Sequence, residues 1–340
     1  MHRAILASGA EMIVMFGSRC GRGLILGCIA LLLSGCYYAQ AARGQLDVMR
    51  KREPISELIE APDTPEALAL RLELVNEARQ FAIDELLLPD NDSYRSYADL
   101  ERDYVVWNVF AAPEFSLDPK TWCFPVAGCV AYRGYFSEDA AERKAAQLRS
   151  DGFDVVIGGV PAYSTLGRFD DPVLNTMMRW EDADLVATIF HELAHQVLYI
   201  KGDSAFNESF ATAVEEIGIE QWLSSRDQDA DFSDYIGRRE RRRETLEIVA
   251  VARTDLEKLY ATSMAAHEMR RAKETRLAQL TSELPVDFEI ELNNAQLASM
   301  SLYQSRVPEF RALYEECESE LRCFYDRASS LQPAESSTQN

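Results

Sequence analysis

The chain has 340 residues, 47% of them hydrophobic and 27% charged, with a formal net charge of −21. That length buries a substantial core, as one large domain or as two closely packed parts. So acidic a surface argues against nucleic-acid binding and against electrostatic adhesion to anionic lipid.

At the N-terminus, Arg19 and Arg22 precede an apolar run over residues 24–33 that stops at Ser34-Gly35-Cys36. A run of about 10 residues is too short to span a bilayer, which takes roughly 20, and has the length of a signal-peptide core. Leu33-Ser34-Gly35-Cys36 resembles the bacterial lipobox, in which the bond before a lipidated Cys is cut. Residues 1–35 are therefore expected to be a lipoprotein signal peptide, and Cys36 the membrane anchor. An uncleaved N-terminal anchor, or a plain signal peptide with an incidental Cys, is the alternative. Tyr37, standing where an Asp would retain a lipoprotein in the inner membrane, points to the outer membrane of a bacterial envelope, facing the periplasm.

Residues 36–62 read as a polar tether. Over 64–88 the pattern is helical, with Thr64 as cap, Pro65 in the first turn and an apolar stripe through Leu68, Leu72, Val75, Ala78, Phe81, Ala82 and Leu86. Residues 104–110 and 126–135 are strand candidates. Beyond Cys36 stand Cys123, Cys129, Cys317 and Cys323, an even number that suits disulfides in an oxidising compartment. Cys123–Cys129 is the favoured pairing. A helix is expected over 140–149, then a strand over 153–160 ending in the loop 161–166. Two helices follow, over about 184–200 and 207–223. Residues 240–330 read as almost all helix: one long charged element over about 244–283, broken at Leu284-Pro285, then shorter ones around 293–305 and 308–329. This divides the chain into a catalytic region (63–235), a helical C-terminal subdomain (236–330) and a disordered tail (331–340). No feature fixes an oligomeric state.

The chemistry concentrates in His191-Glu192-Leu193-Ala194-His195, set in an apolar pattern of helical period. Histidines four apart share a helix face and offer two imidazole nitrogens to one Zn²⁺. Glu192 lies where a carboxylate reaches a water on that ion and takes its proton. Zinc hydrolases need a third protein ligand, and no third His is near, since His267 falls in the charged helix. Glu208, in Asn207-Glu208-Ser209-Phe210-Ala211, is the best carboxylate, although an Asn cap followed by an acid also suits a helix start. Glu215 and Glu216 are weaker alternatives, with Glu215 on the face of Glu208 and placed to brace a ligand. The run Arg238-Arg239-Glu240-Arg241-Arg242-Arg243 reads as a solvated helix start.

HELAH followed by Asn207-Glu208-Ser209-Phe210-Ala211 resembles the gluzincins, and more closely a bacterial family of predicted aminopeptidases. Further segments carry that resemblance, among them residues 106–111, 122–130, 132–136, 159–167 and 169–172. It implies a zinc peptidase acting on peptides, lipoprotein beginning included. The departures are a short gap between His195 and Glu208, Thr212 in place of an Asp four residues after Glu208, and no GAMEN-like segment to hold a substrate α-amine. The expected fold is α+β and zincin-like: mostly helical, with a small sheet next to the HExxH helix and a helical C-terminal part. An edge strand at 155–160 would pair with extended substrate. Tyr163, or else Tyr303, would donate to the oxyanion. The rival readings are a zinc endopeptidase and a non-catalytic envelope lipoprotein that uses zinc for stability and binds peptides.

Overall fold

The computed structural model describes residues 37–331 apart from 125–127, 166, 227–228, 286–291 and 302–305. The expected signal peptide, Cys36, Tyr303 and the tail from residue 332 lie outside the described residues. The chain divides into two units, one ending at Asp47 and one starting at Val48. In the first, residues 37–47 form a helix (α1). No described helix is long and apolar enough to cross a membrane.

The second unit opens with β1 (Arg52–Pro54) and α2 (Ile55–Glu60). Residues 48–60, expected as part of a polar tether, are thus built into this unit. Val48 and Ile55 are fully buried, and burying an aliphatic side chain stabilises by about 1.5–3 kcal/mol, enough to order the polar residues around them. α3 (Glu66–Asp84) buries Leu72, Val75, Ala78 and Ala82 at helical spacing, with Pro65 rather than Thr64 at its N-cap. Arg79 is buried in the same stripe, and its guanidinium donates to the carbonyls of Asn91 and Ser93. An arginine so placed fixes the loop after the helix.

The strands are short: β2 (Ser96–Ala98), β3 (Val106–Pro113), β4 (Trp122–Phe124), β5 (Gly128–Val130) and β6 (Tyr132–Tyr135). After α4 (Glu138–Ser150) come β7 (Phe153–Val160) and β8 (Val173–Leu174). They make three small sheets, ordered β1-β2-β8, β6-β3-β7 and β4-β5. The stretch 126–135 is therefore two strands, because Cys129 pairs across the β4-β5 hairpin with Cys123, to which it is disulfide-bonded. Gly128 holds φ +80°, and a Cβ there would stand 3.1 Å from the backbone of Gly202. Only glycine suits both conditions.

α5 (Asp182–Val197) and α6 (Ser204–Ser224) pack together in the main core, against α3 and the pair α10 (Val307–Glu316) and α11 (Leu321–Ser330). A disulfide links Cys317 to Cys323 across the turn between that pair. Between these elements, α7 (Asp229–Tyr260), α8 (Ala266–Glu283) and α9 (Asn294–Ser301) enclose a second core. The single helix expected over 244–283 is two, since residues 261–265 leave the helix without a Gly or Pro to mark the break. Folding back lets Val249, Ala252 and Leu256 meet Leu277 and Leu280. The architecture is mixed α+β, mostly helical, with small sheets.

Candidate metal centre

α5 buries Leu185, Val186, Ile189, Phe190 and Leu193 completely. That apolar face fixes the helix in rotation, so His191 and His195 share the remaining side, their rings 4.8 Å apart. The chain leaves the helix at Leu198, which is extended. Asn207, read from the sequence as a helix cap, instead reaches back over the loop. Its amide accepts from Ile200 N at 2.7 Å and donates to Ile200 O at 2.8 Å. The cap of α6 is Asp203, which accepts from Phe206 N at 2.9 Å.

α6 therefore starts earlier than expected and places Glu208 in its second turn, beyond the reach of a helix-end charge effect. Glu208 turns toward both histidines, with Oε2 3.5 Å from His191 Nε2 and Oε1 3.8 Å from His195 Nε2. One ligand atom from each of the three residues can be chosen so that all lie within 4.8 Å of one another. Tetrahedral ligands at bond lengths near 2.0–2.1 Å stand about 3.3 Å apart, so small rotations of these side chains would enclose one ion.

Behind the ligands, Glu215 Oε2 lies 3.0 Å from His191 Nδ1. A carboxylate there holds the tautomer that leaves Nε2 free for a metal. The other oxygen of Glu215 accepts from Tyr235 Oη at 2.9 Å and from the Arg239 guanidinium. Sequence reasoning missed Tyr235 and misjudged Arg239: in a run that is otherwise exposed, Arg238 and Arg239 are half-buried and pair with Asp184 on α5 and Glu215 on α6. The one signal was spacing: Tyr235 and Arg239 are four apart on a helix. Glu216 faces elsewhere, toward Arg243 and Arg311. Glu215→Gln keeps the shape but loses the charge, and should weaken metal binding about 10–100-fold with the fold intact. A competition titration against a chromogenic chelator measures this, and an unchanged affinity would remove Glu215 from the site.

The charges agree with a metal-binding role. Burial pushes the His195 imidazolium down to about 4, helped by repulsion from His191, so the ring is neutral and its nitrogen free to ligate. Burial disfavours the Glu208 carboxylate, but the hydrogen bond with His191 and the two imidazoles outweigh it and hold Glu208 below its usual range. Glu192 is raised to about 7, first by burial and then by Glu208 and Asp171, against the opposing pull of His191.

Glu192 faces two loops. In the first, Tyr94 holds φ +60° and is buried, with a hydroxyl that has no hydrogen-bond partner among the described residues. Its proton is held well above the ordinary range by burial, then by Glu192, Asp171 and Tyr163, which places these groups near one another. In the second, Asp171 accepts from Thr165 N at 2.8 Å, and its own carbonyl accepts from Tyr94 N. Asn91 and Ser93 tie the first loop to Gln196 on α5, and Ser93 Oγ also accepts from Asp171 N in the second. Tyr163 packs on Phe136, with ring centres 6.0 Å apart, and against the main core. Tyr94 escaped sequence reasoning because a left-handed backbone at a tyrosine leaves no mark in composition.

β7 is an edge strand of its sheet. Its first residues are covered by α9: Asn293 donates to Val155 O, and Asn294 N donates to Asp154.

A family model described as "Putative aminopeptidase" matches residues 36–340. The chain belongs to this family. No curated protein and no solved structure matches the chain. Membership suggests peptide hydrolysis as the coarse activity, and among the described residues His191, His195 and Glu208 form a group that could hold a metal ion. Two imidazole nitrogens and one carboxylate oxygen, with one ring braced by Glu215, make a donor set that fits zinc.

Proposed function

We propose that the protein is a zinc-dependent aminopeptidase with a zincin-like catalytic region, held by His191, His195 and Glu208. The observation that carries this reading is the convergence of those three residues, with Glu192 on the same helix. Bound zinc would act as a Lewis acid on the scissile carbonyl and lower the pKa of water. Glu192 accepts the proton of the attacking water and returns it to the departing amine. Tyr163 donates a hydrogen bond to the carbonyl oxygen as charge develops there. The exposed part of the β7 edge aligns the peptide backbone. Lipidation at Cys36 would tether the enzyme to the envelope, with the outer membrane as its expected site.

Peptides with free and with acetylated N-termini test the reading. For an aminopeptidase, acetylation should lower kcat/KM at least about 100-fold, since such an enzyme selects for the free α-amine in its transition state. Equal rates would make the protein an endopeptidase with the same metal and base.

A further inference from the structure

Beside the metal centre lies a cavity of about 1070 Å³, at the upper end of the sizes that hold small ligands. Its walls come from α5, α6, α7, α9 and β3, so it lies between the ligand helices and the sheet whose edge is β7. Phe110, Trp180, Leu246 and Met300 give it apolar surface. Its charge is unusual for this chain. Arg179, Arg238, Arg239, Arg241 and Arg242 line it against Glu181, Asp184 and Glu215, an excess of two positive charges in a protein of net charge −21.

Two of the three carboxylates are already engaged. Asp184 is bound by Arg238 at 2.8 Å, and Glu215 by Arg239. Arg179 pairs with Asp103 and lies over the Tyr104 ring. Arg241 and Arg242 remain, exposed and without an ion pair among the described residues. Apolar walls around uncommitted guanidinium groups favour a carboxylate, which takes two parallel hydrogen bonds from one arginine.

The geometry points to a carboxylate-recognition subsite of the proposed peptidase, an inference that rests on that reading. Position along α5 says how far the cavity reaches from the metal ligands. Thr188 and Glu181 line the cavity three and ten residues before His191, about 4.5 and 15 Å along the helix axis. An extended peptide covers about 3.3–3.6 Å per residue, so the α5 wall of the cavity spans roughly one to four residues' reach from His191. Two sources share that chemistry: the terminal carboxylate of a short peptide and an acidic side chain.

The test uses Ala-Ala-Ala-Ala with a free and an amidated C-terminus, and Ala-Ala-Glu-Ala-amide beside Ala-Ala-Gln-Ala-amide. Binding is measured by calorimetry on the Glu192→Gln protein, and hydrolysis on the unmutated protein. The carboxylate member of at least one pair should bind about 10–100-fold more tightly, the worth of a charge-assisted hydrogen bond, and the preferred pair names the source. Arg241→Gln/Arg242→Gln should bring that ratio to near one, through KM rather than kcat, and Arg241→Glu/Arg242→Glu should reverse it. Both positions are exposed, so circular dichroism should show an unaltered fold. Cleavage of both members at equal efficiency, or a preference that survives both double variants, overturns the subsite and leaves the peptidase reading standing. Preferential binding that the variants abolish, with no peptide cleaved by the unmutated protein, keeps the subsite and overturns the peptidase reading.

Discussion

Glu192→Gln should lower peptide hydrolysis about 10²–10⁴-fold while one zinc per chain stays bound. The amide matches the carboxylate in size and cannot accept a proton at neutral pH. Nothing in the metal-binding geometry depends on Glu192, since the three converging groups are His191, His195 and Glu208. Stability should not fall either. Burial and the neighbouring Glu208 and Asp171 disfavour the charge on Glu192, so its removal relieves repulsion. Steady-state kinetics on an unblocked peptide, with metal content by mass spectrometry, decide the matter. Activity within tenfold of the unmutated enzyme would dismiss Glu192 as the base, and loss of zinc would make it a ligand instead.

Glu208→Ala should weaken zinc binding by more than about 100-fold, exceeding the usual cost of losing a group behind the ligands, and hydrolysis should fall with it. The rival role for Glu208, as a favourable charge at a helix start, would be worth only about 0.3–1 kcal/mol and would leave metal affinity alone. The structure already weakens that rival, because the first turn of α6 holds no acidic residue and Asp203 is its cap. Chelator competition and metal-free thermal unfolding separate the two. Tight zinc binding by the Glu208→Ala protein would move the third ligand elsewhere, with Glu215 the next carboxylate on that face.

What the sequence disclosed of this site is what helical period and short range can encode. His191 and His195 are one turn apart, and their relation follows from the helix alone. Glu208 was within reach because a single loop separates it from His195, although Asn207 beside it is no helix cap: its side chain bonds Ile200 across the loop, a contact that no capping pattern describes. Tyr235 and Arg239 stayed hidden because α7 reaches α6 through tertiary packing. Their surroundings looked like a solvated basic stretch until Glu215 was placed beside them. The fold shows the same division. α3 was legible from its stripe. The break at 261–265 was not, since what stabilises it is the meeting of α7 with α8 in a shared core rather than a local stop signal.

The clasp that Asn207 makes on Ile200 joins all three prospective ligands into one short helix–loop–helix, whereas the arginine-lined cavity draws on α5, α6, α7, α9 and β3. In the proposed enzyme, selectivity thus draws in part on segments, α7, α9 and β3, that carry none of the ligands. A lineage could exchange residues on α7 or α9, or on the inner face of β3, and acquire a new diet of peptides without disturbing the spacing that the clasp sets. The same separation offers an engineer a centre that can be held constant while the chamber beside it is rebuilt.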